Sequence, residues 1–422
     1  MLQTIISKLS GIFNNYPGMK KLLITYGLVL TGLSALFLFN RFVLVNQVQK
    51  DDWIILTELS NLFVLEGKSP YDINFSEIAN RSTLIIDSVD AQNGQFSFKS
   101  PVYILFLFFP FSLISDQLLS LSIWLTINQT LIILAINMFM ELLGLNVNQK
   151  VLFFIISILF LAHFSIVNLL YASISIFQLF FMVVSLKAFY QEDEILTGIS
   201  LALMLVSPSL VVLPIIIILS MIIRNKKYSI ISWFGIAVML LSLAGIIIDS
   251  NWPLKMIRNI YDQNNIPFFY SFEPILDLIP MGIRNPNIRY LFPVILVGWL
   301  FKEWHNIELE HSNQLLWGIS LAICINSLIF FQYINNLSVF YAIVFLFIIH
   351  IWNKRVRAFS LLIFIGLITF PVVLLPMYIT RFFTTIDNKF LTSFQFLTAI
   401  FLIIMLYWVK WWVYDDTYLL SV

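Results

Sequence analysis

Charged side chains are scarce. Asp, Glu, Lys and Arg make up 11% of the 422 residues, against roughly a quarter in soluble proteins. So few charges cannot cover a water-facing surface. Cysteine is nearly absent: the single Cys324 falls in an apolar run, which excludes a disulfide framework and a Cys-based metal centre. Four scattered His residues do not compose a metal cluster. No stretch is dense enough in Lys and Arg to suggest nucleic acid, and a net charge of +1 names no partner.

What the chain has instead is apolar bulk. Hydrophobic residues make up 60% of it, Phe alone contributes 41, and the mean hydropathy is +0.91. Lipid must be the solvent for much of its surface. Residues 2, 5, 6, 9, 12 and 13 are apolar at helical spacing, which fits a helix lying along the inner membrane surface; a frayed tail is the plainer alternative. The first long apolar stretch starts after Lys20 and Lys21 with no small-residue cleavage site behind it, so a cleaved signal is not expected.

Apolar runs occur at about 22–44, 101–116, 120–142, 151–168, 171–190, 195–207, 209–224, 229–248, 290–302, 313–332, 337–352, 358–379 and 391–412, and only 47–100 and 249–289 are long and hydrophilic. Lys20–Lys21, Arg224 with Lys226–Lys227, and Lys354–Arg355–Arg357 mark cytoplasmic loops, and Lys187 with Glu192–Glu194 reads as another inner turn. Both long loops then fall outside. Parity constrains the count: if 101–116 crossed, Lys187 would be outside too. That run is short and carries Pro101 and Pro110, so it reads as re-entrant or interfacial. The pair flanking Pro208 dips out and back. The expectation is one all-α polytopic domain over 1–422, with twelve crossings, one re-entrant segment and both termini inside.

Lys99, Lys255, Arg258, Arg284 and Arg289 stand in or beside the outer loops, where they can hold an anionic phosphate or simply be solvated. Asp51 and Asp52 open the first outer loop. Two adjacent carboxylates at a membrane surface can act as a general base, bind a metal or remain solvated. His163 and His350 in apolar runs read as packing residues, and Arg41 as a snorkelling one. Tyr407-Trp408 with Trp411-Trp412 reads as an interfacial belt. Outside, Trp53, Trp252, Phe268, Phe269 and Tyr270 can touch a sugar, a prenyl chain or the headgroups.

The stretch from Asp52 to Pro110 resembles the front end of polyprenyl-phosphate-dependent glycosyltransferases of the GT-C superfamily, and looks most like glycosyltransferase family 87, which includes mannosyltransferases. Asp52-Trp53 matches that family's Asp after the first helix. Gly67-Lys68-Ser69-Pro70-Tyr71-Asp72 matches its Gly-x-x-Pro-Tyr-Asp turn, and Phe98-Lys99-Ser100-Pro101 its aromatic-Pro-Pro segment with one proline kept. Farther on the chain departs from the pattern. Ala172-Ser173-Ile174-Ser175 stands where the family often has Gly-Gln-x-Asn, and Ser207-Pro208 where it often has Lys-Pro.

The resemblance implies a membrane glycosyltransferase in a bacterial cell membrane, working at the extracytoplasmic face. It would move a hexose, mannose among the candidates, from a polyprenyl-phosphate donor to a lipid or glycan acceptor, with inversion. Asp52, with Asp51 as runner-up, would be the base, and the five basic residues would be candidates for the leaving phosphate. No cofactor is implied and no divalent metal is indicated. The alternative is a transporter or flippase of a lipid-linked saccharide, although no internal repeat is visible and few charges fall in mid-helix.

Cysteine-accessibility labelling tests the topology. In a background lacking Cys324, Ser88→Cys and Asn264→Cys should label from the same side of the membrane; labelling from opposite sides would refute the shared face of the two loops.

Overall fold

The computed structural model describes residues 17–46, 48, 51–73, 77–78, 81, 98, 100–145, 149–262, 286–307, 312–330, 333–355 and 388–414. The amphipathic segment before Pro17, the apolar run 358–379 and the aromatic residues at 268–270 lie outside them.

Every regular element among the described residues is helical. The chain begins with α1 (Pro17–Phe42), a 3-10 turn at Leu44–Asn46, and α2 (Asp51–Glu66). It continues through α3 (Tyr103–Ser112), α4 (Gln117–Leu142), α5 (Gln149–Leu161) and α6 (His163–Leu170). Next come α7 (Ser175–Tyr190), α8 (Glu194–Met204), a 3-10 turn at Pro208–Leu210, α9 (Val212–Arg224), α10 (Tyr228–Ile248) and α11 (Trp252–Asp262). The last part comprises α12 (Pro286–His305), α13 (Ser312–Ile329), α14 (Ile334–Leu337), a 3-10 turn at Ser338–Phe340, α15 (Tyr341–Arg355) and α16 (Asn388–Tyr414).

Among the described residues, six stretches are by length and composition able to cross a membrane: Val29–Asn46, Gln117–Leu142, Tyr228–Ile248, Ser312–Ile329, Ile334–Trp352 and Gln395–Tyr414. The pair α5/α6, bent by 56°, makes a seventh when taken as one broken span. Of the other runs counted toward the expected twelve crossings, 358–379 lies outside the described residues. The apolar runs at 171–190, 195–207 and 209–224 form helices of 16, 11 and 13 residues. At 1.5 Å per residue these reach roughly 24, 17 and 20 Å, short of a hydrocarbon core of about 30 Å. Helix α12 has the length but carries Arg289, Lys302 and Glu303.

Charge sorts the bundle into two ends. At one end Lys187 Nζ lies 2.6 Å from Glu141, Lys227 Nζ 3.9 Å from Glu192, and Arg224 donates to the carbonyls of Trp304 and Ile307. At the other end Arg41 meets Asp116 at 2.8 Å and Lys255 meets Asp72 and Asp249. Helix α4, 26 residues or roughly 39 Å long, joins the two. Because Arg41 and Asp116 touch, the chain from 42 to 116 starts and finishes at the same end. Helix α3 within it has ten residues, about 15 Å. The Glu192–Lys227 contact likewise brings both feet of the α8–α9 pair to one end, with Pro208 at the tip.

The interruptions are where the sequence has to supply hydrogen bonds, because lipid supplies none. Asn326 Nδ2 donates to Leu210 O (3.0 Å) and Ser209 O (3.4 Å), and its Oδ1 accepts from Leu213 N (3.3 Å). Gln178 Nε2 donates to Met204 O and Ser207 O. Asn168 Nδ2 reaches Asn335 O and Ser338 Oγ. Trp124 Nε1 donates to Ala172 O, where Ala172 holds a left-handed φ of +48°. Each break is thus held by a buried side chain from a different helix.

Asn326→Leu would orphan groups at the α8–α9 tip and should destabilise the protein by about 1–3 kcal/mol, the desolvation cost of unpaired buried polar groups. Ser320→Ala removes a buried hydroxyl with no partner among the described residues and should change stability by less than about 0.5 kcal/mol. Unfolding equilibria in bicelles check both; equal effects would remove the special role given to Asn326.

Candidate functional site

The first outer segment, expected as a loop from 47, begins with a buried helix. Asp51 and Asp52 are the opening residues of α2, so they belong to a second helix rather than to the end of α1. Their side chains lie outside the described residues. Carboxylates in a first helical turn are favoured by the helix dipole whatever else they do. Beyond them Trp53, Ile54, Leu59, Leu62 and Phe63 are wholly buried. They pack with α3, where Ser60 Oγ donates to Leu105 O at 2.6 Å and Phe63 meets Phe106 ring to ring. A second, smaller hydrophobic core forms here, taking in Leu105, Phe108, Trp124 and Trp252.

The other side of α2 is polar and faces a pocket of about 310 Å³ bounded by Arg81 and by the turn from α3 into α4. Glu58 stands in it, accepting from Gln117 Nε2 at 2.9 Å. Burial raises the Glu58 carboxyl above its ordinary value, and the Gln117 hydrogen bond and the Arg81 charge offset only part of that. Arg81 itself clasps Glu66 with both terminal nitrogens. Glu58 falls in none of the motif elements of the sequence. A signal was available: it is the only charged residue between Asp52 and Glu66.

Two of the motif elements come together. Gly67, at φ +66°, lets the chain turn out of α2 with a conformation that a side chain would strain. Tyr71 then donates its hydroxyl to Ser100 O at 2.8 Å, and its ring lies 5.4 Å from that of Phe98. Helix α11 closes over this turn. Asn259 Nδ2 donates to Tyr71 O and Phe98 O, and Lys255 Nζ lies 2.7 Å from Asp72 and 3.1 Å from Asp249. At Gly245 in α10 an added Cβ would come within 2.4 Å of Val102 and 3.0 Å of Trp252 Nε1, so glycine there admits the approach of this assembly. The turn after α2 and helix α11, expected in the two long hydrophilic loops, thus meet.

The five basic candidates fare differently. Lys255 is balanced by two carboxylates. Arg258 is exposed, one turn farther along α11. Arg289 sits in the first turn of α12, its side chain outside the described residues, and Lys99 and Arg284 lie outside them altogether. Among the described residues no three of His, Cys, Asp and Glu gather as metal ligands. His163 is buried with Nε2 3.2 Å from Gln395 Oε1, the packing role expected of it.

The departures from the family pattern also meet. Ser173 Oγ pairs with Ser175 Oγ, which donates to Asn168, and Gln178 ties the same helix start to Ser207 O. A scan against protein-family models and a search of curated proteins find no match to this chain.

Proposed function

We propose that this protein is a membrane glycosyltransferase of the GT-C type, acting at the extracytoplasmic face of a bacterial cell membrane on a polyprenyl-phosphate sugar. The observation that carries the reading is the assembly of the first outer segment. A carboxylate pair opens a helix whose polar side borders a pocket, and the Tyr71 turn of the same segment is clasped by α11. In this reading the chain crosses twelve times, α3 is the non-crossing element, and the end bearing Asp249 faces outward, with both termini inside.

The chemistry is inversion at the anomeric carbon. A carboxylate oxygen of Asp52 takes the proton of an acceptor hydroxyl. That oxygen attacks the sugar carbon as its bond to the phosphate oxygen breaks, and polyprenyl phosphate leaves with the electron pair. An aqueous Asp has a pKa near 4 and is a weak base, so transfer comes late, as the sugar–phosphate bond breaks. The leaving phosphate gains charge in the transition state, so a cation placed there acts on the rate rather than on binding alone. Arg258, Arg284, Arg289, Lys99 and Lys255 are the candidates; Lys255 would have to exchange a carboxylate for the phosphate.

A second reading, a transporter or flippase for a lipid-linked saccharide, is favoured by one observation. Broken helices meet inside the bundle, and the carbonyl oxygens of Asn128 and Gln178 are buried there without a partner among the described residues. Discontinuous helices are common at transport sites.

Purified protein in lipid, offered a panel of polyprenyl-phosphate sugars with a lipid acceptor, should turn over at least one donor. Asp52→Asn should abolish turnover with folding intact, and Asp51→Asn should be milder. At least one Ala variant among the five basic residues should lose about 2–4 kcal/mol of transition-state stabilisation. Activity in both Asn variants sinks the base assignment, and movement of intact donor across the bilayer without turnover favours the transporter.

A further inference from the structure

The pocket beside α2 has a composition that points to its ligand. Seven of its ten lining residues are polar, so an acyl or prenyl chain would leave their groups desolvated and unpaired. A free anion is poorly served, since the one cation, Arg81, is already clasped to Glu66 and the half-buried Glu58 carboxyl shares the space. An isolated cation meets Arg81. What remains favourable is a neutral ligand with many hydroxyl groups. The wall offers both donors and acceptors: the Glu58 carboxyl, the amides of Asn61 and Gln117, and the hydroxyls of Ser112 and Ser115.

An independent observation points into the same space. Trp53 is 1% exposed and lines the pocket, yet its indole Nε1–H has no hydrogen-bond partner among the described residues. A buried donor left unmade is costly and marks a place where something else accepts. A pyranose ring supplies hydroxyl oxygens for the N–H, and a C–H face suited to the partly exposed ring of Phe111. At about 310 Å³ the space is at the small end of ligand pockets, the size of one ring rather than a chain of them.

We propose that this pocket holds a single neutral sugar ring, with Trp53 Nε1–H and the Asn61 and Gln117 amides reading its hydroxyls. Its meaning as the sugar site of a transferase rests on the function proposed above; the binding itself does not.

The test is binding, read apart from turnover. Full-length protein in lipid nanodiscs, with tryptophan labelled at the indole nitrogen, is titrated with the methyl glycosides of mannose, glucose, galactose and N-acetylglucosamine. Trp53→Phe identifies the Trp53 resonance by its loss. At least one glycoside should shift that resonance saturably. In Asn61→Ala, which leaves the indole in place, the same glycoside should bind about tenfold more weakly. No Trp53 shift with any of the four up to their solubility limits overturns the proposal, as does an equal shift with inorganic phosphate, or unaltered affinity in Asn61→Ala. If a glycoside binds while Asp52→Asn retains turnover, the base assignment falls and the pocket stands. If Asp52→Asn is inactive and no glycoside binds, the pocket falls and the transferase stands.

Discussion

Backbone hydrogen bonding in a solvent that offers none is the constraint on which this architecture depends. A continuous helix meets it internally. This chain breaks its helices repeatedly, at 162, at 171–174, at 205–211 and between α13 and α14, and each break frees carbonyls that must find donors within the protein. The donors are few and specific: Asn168, Gln178, Asn326, Trp124 and Tyr103, the last giving its hydroxyl to Leu205 O at 2.9 Å. All are buried. Thus the polar residues inside the apolar runs are the condition under which short helices can be kept at membrane depth. The benefit is an interior of irregular backbone next to the small core formed by α2 and α3.

That small core holds α2 and α3 together, although α2 is too polar and α3 too short to count as spans. Helix α2 buries one side against α3 and leaves the other polar, the division expected of a helix at a boundary. The Tyr71 turn and α11 then lock together through Asn259 and the Lys255 pairs. Exposed ion pairs contribute little on their own. The backbone-directed bonds of Asn259 and Tyr71, with the rings of Phe98 and Trp252, fix the geometry, and Lys255 adds register to it.

The legible part of the fold was whatever lipid dictates. Long apolar runs became helices, the two prolines at 101 and 110 bounded and marked a short one, and Pro208 divided α8 from α9. Features set by tertiary contact were less legible. Residues 51–66 looked like loop because their helix is polar on one side, and the buried side was visible only once α3 was placed. The aromatic cluster near the end of α16 divides likewise. Trp408 and Trp411 are 60% and 81% exposed, as an interfacial belt requires. Tyr407 donates to Glu303 and Trp412 packs on Trp352. Composition alone gives these residues the same role; only the helix face separates them. Glu58 was missed because its neighbours in sequence are apolar and its partners, Gln117 and Arg81, are 59 and 23 residues away.

Counting cations was also a poor guide to where positive potential exists. The sequence offers many Lys and Arg residues near the outer segments, yet the structure has already paired most of those it describes. Arg81 is held by Glu66, Lys68 by Glu66 and Glu77, Arg41 by Asp116, and Lys255 by two carboxylates. A charge so paired projects little field beyond its partner. The ion pairs at this end therefore serve the packing of α2, the turn after it and α11 on one another more than they offer positive potential to an arriving anion.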